Sequence, residues 1–198
     1  MGGIAVTCAG SLRCFVAVHI DDATRAAMRA LQGRLAGVMG GVKWVEPQNL
    51  HLTVKFLGNV DQKRLGRLSA GLARAAAACP PFTLVVRGAG AFPGPARPRV
   101  AWAGLSDGKA ELYALWQAAE RELAREGFAR DDRDFAPHLT LGRAREPAPA
   151  SGLLEILGEV ADTTWGTFPV TAMSLMRSTL TPRGPIYDEI AAFPLTGS

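Results

Sequence analysis

Two of the chain's three histidines open the same tripeptide, His51-Leu52-Thr53 and His138-Leu139-Thr140, and no other feature of the 198 residues restricts the fold as tightly. With 12 threonines in the chain, a His has about a 6% chance of a Thr two places on, so two of three by accident is roughly a 1% event. In a strand, positions i and i+2 share a face, so each motif reads as a strand presenting an imidazole and a hydroxyl together. Leu52, Val54 and Phe56 are then expected on the opposite, apolar face. A fold that uses both motifs at one site must carry two strands, separated by nearly half the chain, to the flanks of a shared cleft. His19 ends a strand without such a Thr and is read as structural.

The remaining pattern supplies a frame for two such strands. Cys14 to Val18 reads as a buried strand, followed by a helix capped by Asp21 or Asp22, with Ala27, Leu31 and Leu35 on its apolar side. Val42 to Val45 and Leu50 to Leu57 read as strands, the second ending at Gly58. Asp61 caps a helix to about Ala78, which Pro80-Pro81 terminates. Phe82 to Val86 and Arg99 to Ala103 are strands, and Lys109 to Glu126 is an amphipathic helix ended by Gly127. Phe135 to Gly142, Phe168 to Met176 and Ile186 to Ala191 are strands, with a short helix from Leu153 to about Val160. This order predicts an α+β protein of two similar lobes facing each other, a single unit over 12–198 behind an N-terminal leader, 1–11.

Composition excludes several classes. No apolar run reaches 18 residues, so no membrane span is expected. Cys8, Cys14 and Cys79 are odd in number and share no metal-ligand spacing, which argues against a disulfide framework or a zinc site and for a reducing cytoplasm. The net charge is +4, and Arg supplies 18 of the 22 basic residues. Arginine suits phosphate because its planar fork donates two hydrogen bonds to one anion, although an Ala-, Gly- and Arg-rich chain also follows from nucleotide bias. No surplus amphipathic helix asks for a protein partner, so a monomer is expected.

The paired motifs suit a cyclic phosphodiester. Imidazole exchanges protons near neutral pH, so one neutral His takes a proton from water while a protonated His supplies one to the departing ribose oxygen. Thr53 and Thr140 can donate to the non-bridging oxygens as charge builds there. No metal or cofactor is called for. Arg143 is a candidate phosphate ligand, but strict alternation sets it opposite His138 and Thr140 unless the strand bends at Gly142. Lys55 is in phase with His51 and reads either as a cleft residue or as a rim charge. Arg130 and Arg133 interleave with acidic residues and read as surface pairs. Trp44, Trp102, Phe92 and Tyr187 could stack a base, but are assigned to the core. Beside turnover on RNA ends stand two other readings: a phosphodiesterase for small cyclic nucleotides or nucleotide-sugar cyclic phosphates, and a module that holds RNA ends without turnover.

With these residues in view, the chain resembles the RNA 2′,3′-cyclic phosphodiesterase family, historically called 2′-5′ RNA ligases, a branch of the two-histidine phosphoesterases. The likeness runs from Phe15-Val16-Ala17-Val18 to Phe193-Pro194-Leu195. It includes Val42-Lys43-Trp44-Val45-Glu46-Pro47 ahead of the first motif, Phe135-Ala136-Pro137 ahead of the second, and Ser178 to Tyr187. The resemblance implies a bilobal fold with pseudo-two-fold symmetry, antiparallel sheets lining a central cleft and helices outside. It implies hydrolysis of terminal 2′,3′-cyclic phosphate to a 2′-phosphomonoester, with His51 as proton donor, His138 as proton acceptor, and Thr53 and Thr140 on the phosphate. It also implies reversible, ATP-independent 2′-5′ joining of RNA ends.

Overall fold

A computed structural model describes residues 10–132, 134–182 and 184–198, which form nine strands and four α-helices. The N-terminal segment read as a leader lies outside the described residues apart from Gly10 and Ser11, and Ser11 opens the first strand, β1 (Ser11–His19). Helix α1 (Asp22–Ala36) follows, its N-terminus closed by the Asp21 carboxylate, which accepts from the Thr24 amide at 2.8 Å. Next come β2 (Val42–Trp44), a 3-10 turn (Pro47–Asn49), β3 (His51–Asp61) and α2 (Leu65–Ala77). The second half contributes β4 (Phe82–Phe92), β5 (Val100–Leu105), α3 (Lys109–Arg125), β6 (Leu139–Ala144) and α4 (Leu153–Glu159). Strands β7 (Thr164–Val170), β8 (Ala172–Thr181) and β9 (Gly184–Pro194) complete it.

All strand pairs are antiparallel, in the order β7-β4-β5-β6-β3-β1-β8-β9, with β2 added to the far end of β6. The order is symmetric about the β6–β3 contact: β9-β8-β1-β3 forms one lobe and β7-β4-β5-β6 the other. Cys14, Val16 and Val18 point from β1 into the main core beneath the helices, while Phe15 and Ala17 join Met176 and Tyr187 in a small cluster on the other face. A central strand covered on both faces reads as a continuous apolar run, which explains Cys14 to Val18.

Three strand expectations change. The strand expected over Phe135 to Gly142 begins only at Leu139, because Pro137 has no N–H to donate and the Ala136 carbonyl is taken by a side chain. The run Phe168 to Met176 is two strands: β7 pairs with β4 in the second lobe, and after Thr171 the chain enters β8 against β1 in the first. Strand β3 continues past Gly58, expected to end it, and β4 continues past Val86, because Gly58 and Gly88 take positive φ (66° and 67°) beside register shifts in the ladders.

Candidate active site

The two motifs meet at the lobe junction. Leu52 of β3 is the cross-strand partner of Leu139 of β6, and both are buried in the main core. In an antiparallel pair that register sets His51 opposite Thr140 and Thr53 opposite His138, with all four side chains on the face away from the core. A local two-fold axis therefore passes between the leucines. The structure brings His51, Thr53, His138 and Thr140 together on one surface.

Each imidazole is held in the same way. His51 Nδ1–H donates to the Asn49 carbonyl at 2.7 Å, and His138 Nδ1–H donates to the Ala136 carbonyl at 2.8 Å. A carbonyl only accepts, so Nδ1 carries the hydrogen in both rings and Nε2 is left for chemistry. Nε2 of His51 accepts from the Thr53 hydroxyl at 3.1 Å when neutral. The rings are also backed by aromatic edges: Tyr187 lies T-shaped to His51 at 5.4 Å and Phe92 T-shaped to His138 at 5.2 Å. Phe92 and Tyr187 are thus half-exposed supports of the histidines rather than core residues, which corrects their assignment from sequence. Trp102 also lies near His138, at 6.5 Å, and Trp44 packs partly on the core.

Burial lowers the His51 pKa from its ordinary value; its bond to the Asn49 carbonyl opposes this, and the charges of His19 and Arg143 lower it further. His138 is lowered in the same order of causes, by burial against its bond to Ala136, with Arg143 adding to the fall. Burial raises the Tyr187 hydroxyl, with Arg143 and Arg13 opposing.

Arg143 reaches this surface through a β-bulge. Relative to β5, β6 carries an extra residue between Thr140 and Gly142, which resets the alternation, and Arg143 Nη2 donates to Thr140 Oγ1 at 3.3 Å. Strand β3 has the matching bulge, an extra residue between Thr53 and Lys55 relative to β1. There the reset turns Lys55 inward, where it is 3% exposed and ion-paired with Glu120 of α3, with Asp131 at 3.6 Å. Neither reading offered for Lys55, cleft or rim, holds. Phe56 turns outward, 61% exposed, with its ring 6.4 Å from Phe15, so the expectation that it packs in the core is also overturned. Phe56 and Arg143 are two-fold mates, each five residues after its His, and that equal offset was the available signal.

His19, read from the sequence as structural, is the cross-strand partner of His51 between β1 and β3. Its Nε2 lies 3.3 Å from a Glu189 oxygen that also accepts from Ser174 Oγ at 2.7 Å. His19 and Glu189 line a pocket of about 370 Å³ beside His51, together with Ala17, Met176 and Tyr187. Among the described residues no three His, Cys, Asp or Glu side chains converge as a metal-binding group.

A bilobal antiparallel sheet with two symmetry-related His-x-Thr strands at its centre defines a two-histidine phosphoesterase. One family model, the LigT-like phosphoesterases, matches the chain twice, over 18–102 and 104–187, each match containing one His-Leu-Thr motif. The chain belongs to that family. Similar proteins include the RNA 2′,3′-cyclic phosphodiesterase of Methanothermobacter thermautotrophicus, 38% identical over 93% of this chain and 99% of its own length. That of Thermus thermophilus is 35% identical over 94% and 91%. A crystal structure of a Thermus thermophilus protein superposes with a TM-score of 0.79 at 31% identity, covering 94% of this chain and 99% of that one. Escherichia coli LigT complexed with 3′-AMP superposes with 0.73 at 25%, with the same coverage.

Proposed function

We propose that this chain hydrolyses the terminal 2′,3′-cyclic phosphate of RNA to a 2′-phosphomonoester, with its own side chains supplying every proton transfer. The observation that carries the reading is the two-fold register, which presents two Nε2 atoms, each fixed by an Nδ1–H to carbonyl bond, on either side of one surface. The names of the relatives support the substrate class.

In the reaction His138 Nε2 takes a proton from water as its oxygen bonds to phosphorus. The P–O3′ bond breaks, and protonated His51 delivers its Nε2 proton to O3′, leaving a 3′-hydroxyl and a 2′-phosphate. Such acid–base help contributes on the order of 10² to 10⁴ in rate. Thr53, Thr140 and Arg143 donate to the non-bridging oxygens as phosphorus becomes five-coordinate. The lowered histidine pKa values fit His138 as a base neutral before substrate arrives, and the phosphate's negative charge favours protonation of His51. A ribose 5′-hydroxyl in the place of water turns the same step, run reversibly, into 2′-5′ joining. Cys14 and Cys79 are separate buried thiols, which supports a reducing compartment, and we place the protein in the cytoplasm as a monomer.

The deciding experiment is turnover of an oligonucleotide ending in 2′,3′-cyclic phosphate with EDTA present. Wild type is expected to form the 2′-phosphate, and His51→Ala and His138→Ala each to lose nearly all turnover. Activity abolished by EDTA overturns the metal-free step. Binding without product favours a module that only holds RNA ends.

The complex of the E. coli relative with 3′-AMP favours one second reading, action on small cyclic nucleotides. A higher kcat/KM on cyclic mononucleotides than on oligomers would establish it.

A further inference from the structure

Two openings beside the catalytic surface, one at His51 and one at Arg143, differ in charge. The pocket beside His51 has the Glu189 carboxylate and no Lys or Arg among its described lining residues. The other opening is a groove of about 830 Å³ that starts at Arg143 and Tyr187 and runs away from the site between two walls. One wall is β2 with the end of β6, where Lys43 is the cross-strand partner of Arg143 and Arg145 follows. The other is the β8–β9 hairpin, with Pro185, Ile186 and Tyr187. Among the described lining residues, three cations stand against one carboxylate, Glu46.

The apolar faces in this groove are of a particular kind. Trp44 and Tyr187 are planar and half-buried, and Ile186 is 54% exposed. Leu180, the cross-strand partner of Pro185, is 60% exposed on the same hairpin. Exposed apolar side chains beside a row of cations are poorly served by water alone. The hairpin is also braced to the active site, because Asn49 Nδ2 donates to the Pro185 carbonyl while the Asn49 carbonyl holds His51. Cations interleaved with planar apolar faces are the pattern that follows a single nucleic-acid strand, with phosphates on the cations and bases on the rings.

We propose that this groove is an RNA-strand subsite that takes the nucleotide upstream of the cyclic-phosphate end, with Arg145 and Lys43 on its phosphate and Trp44 and Ile186 against its base. The inference rests on the proposed reaction and adds the route of the strand. A terminal nucleotide whose 2′ and 3′ oxygens are closed on phosphorus continues only through its 5′ oxygen. The next phosphate therefore leaves the catalytic surface along the 5′ direction, and of these two openings Glu189 disfavours the pocket while Arg143, Arg145 and Lys43 favour the groove. Stacking accepts every base, so the subsite confers preference for chain length rather than for sequence.

The test compares kcat/KM for a cyclic mononucleotide with that for oligomers bearing one, two and three further nucleotides on the 5′ side. Wild type is expected to gain about tenfold on the first addition and little after the second, on the scale of one base stack and one phosphate contact. Arg145→Ala and Ile186→Ser alter exposed side chains and are each expected to shrink that gain. Arg145→Ala should also flatten the salt dependence of oligomer turnover by a log–log slope of about 0.7. Equal kcat/KM on mononucleotide and oligomer, or a gain untouched by either variant, overturns the groove while leaving the proposed reaction standing. If wild type turns over no cyclic phosphate, the proposed reaction fails, and the groove is then judged by fluorescence anisotropy with a labelled single-stranded oligonucleotide ending in 2′-phosphate. Weaker, less salt-sensitive binding by Arg145→Ala supports the groove, and wild-type and variant binding alike overturns it.

Discussion

Arg143 acts on more of the site than any other single residue, because its charge is felt by His51, His138 and Tyr187 and its guanidinium binds Thr140. A fixed cation disfavours the imidazolium form, so Arg143→Gln is expected to move both histidine pKa values up towards their ordinary range. NMR titration of the imidazole Cε1–H signals reads this directly, and unmoved midpoints would refute it. Turnover should fall about 10² or more, the scale of losing one donor to transition-state charge. A second consequence concerns stability. Both histidines are lowered chiefly by burial, so between the folded values and the ordinary 6.5 the unfolded chain binds more protons than the folded one. This part of the stability is complete above about pH 6.5 and is lost as pH falls through the folded values. Urea denaturation from pH 7.5 to 5 should show that decline in wild type, and a shallower one in His51→Gln/His138→Gln. Equal slopes would mean that the two rings do not carry it.

At the scale of elements, the buried Lys55–Glu120 pair joins three of them: β3, α3 and the segment leading to His138, since Glu120 also accepts from the Asp131 amide at 3.1 Å. Removing one partner of a buried pair strands the other charge, whereas replacing both by apolar groups does not. Lys55→Met is therefore expected to cost about 3–5 kcal/mol of unfolding free energy, and Lys55→Met/Glu120→Leu to recover most of it. Denaturant titrations check both, and a double variant as unstable as the single one would show that packing rather than charge holds the site. Faster hydrogen exchange at the Asp131 amide should accompany loss of Glu120. None of this was visible in the amino-acid order, and the reason is physical. Period-2 and period-3.6 patterns are local, so β1, α1, α3 and both motif strands could be found, and the duplicated His-Leu-Thr pointed to four residues of the candidate site. Bulges are defined by the partner strand. One extra residue in each of β3 and β6 turned Lys55 inward and Phe56 and Arg143 outward, against alternation counted along the chain. The crossing at Thr171 was hidden because the apolar pattern runs on through it, and Pro169, two residues earlier, sits within β7 rather than at the crossing. The roles of Tyr187, Phe92 and His19 depend on long-range register, which composition does not report.

At the scale of the molecule, the lobes touch through a narrow seam, with Leu52 and Leu139 as the registered pair between β3 and β6. Such a seam alone would let each lobe open by itself. The helices prevent that: α1 leaves β1 in the first lobe and packs under β6 and β7 of the second, while α2 stays beneath β8 and β9 of the first lobe and packs there against α3 from the second half. The ion pair of α3 with Lys55 fastens a helix from the second half to a first-lobe strand. Each lobe's apolar underside is thus covered partly by chain from the other half, so opening one exposes the core of both, and unfolding is expected to be a single transition. The chain carries its own reporters. Trp44, Trp102 and Trp165 lie on β2, β5 and β7 on the second-lobe side, Trp116 lies on α3 from the second half, and no Trp occurs in β1, β3, β8 or β9. Cys14 sits in β1 of the first lobe, buried, with burial pushing its thiol up to about 11, so it reacts only when that lobe opens. In a Cys8→Ser/Cys79→Ala background, the urea midpoint of tryptophan fluorescence and that of Cys14 labelling should coincide. Midpoints that separate would show two independently folding lobes, and a catalytic surface able to come apart along the line between its histidines.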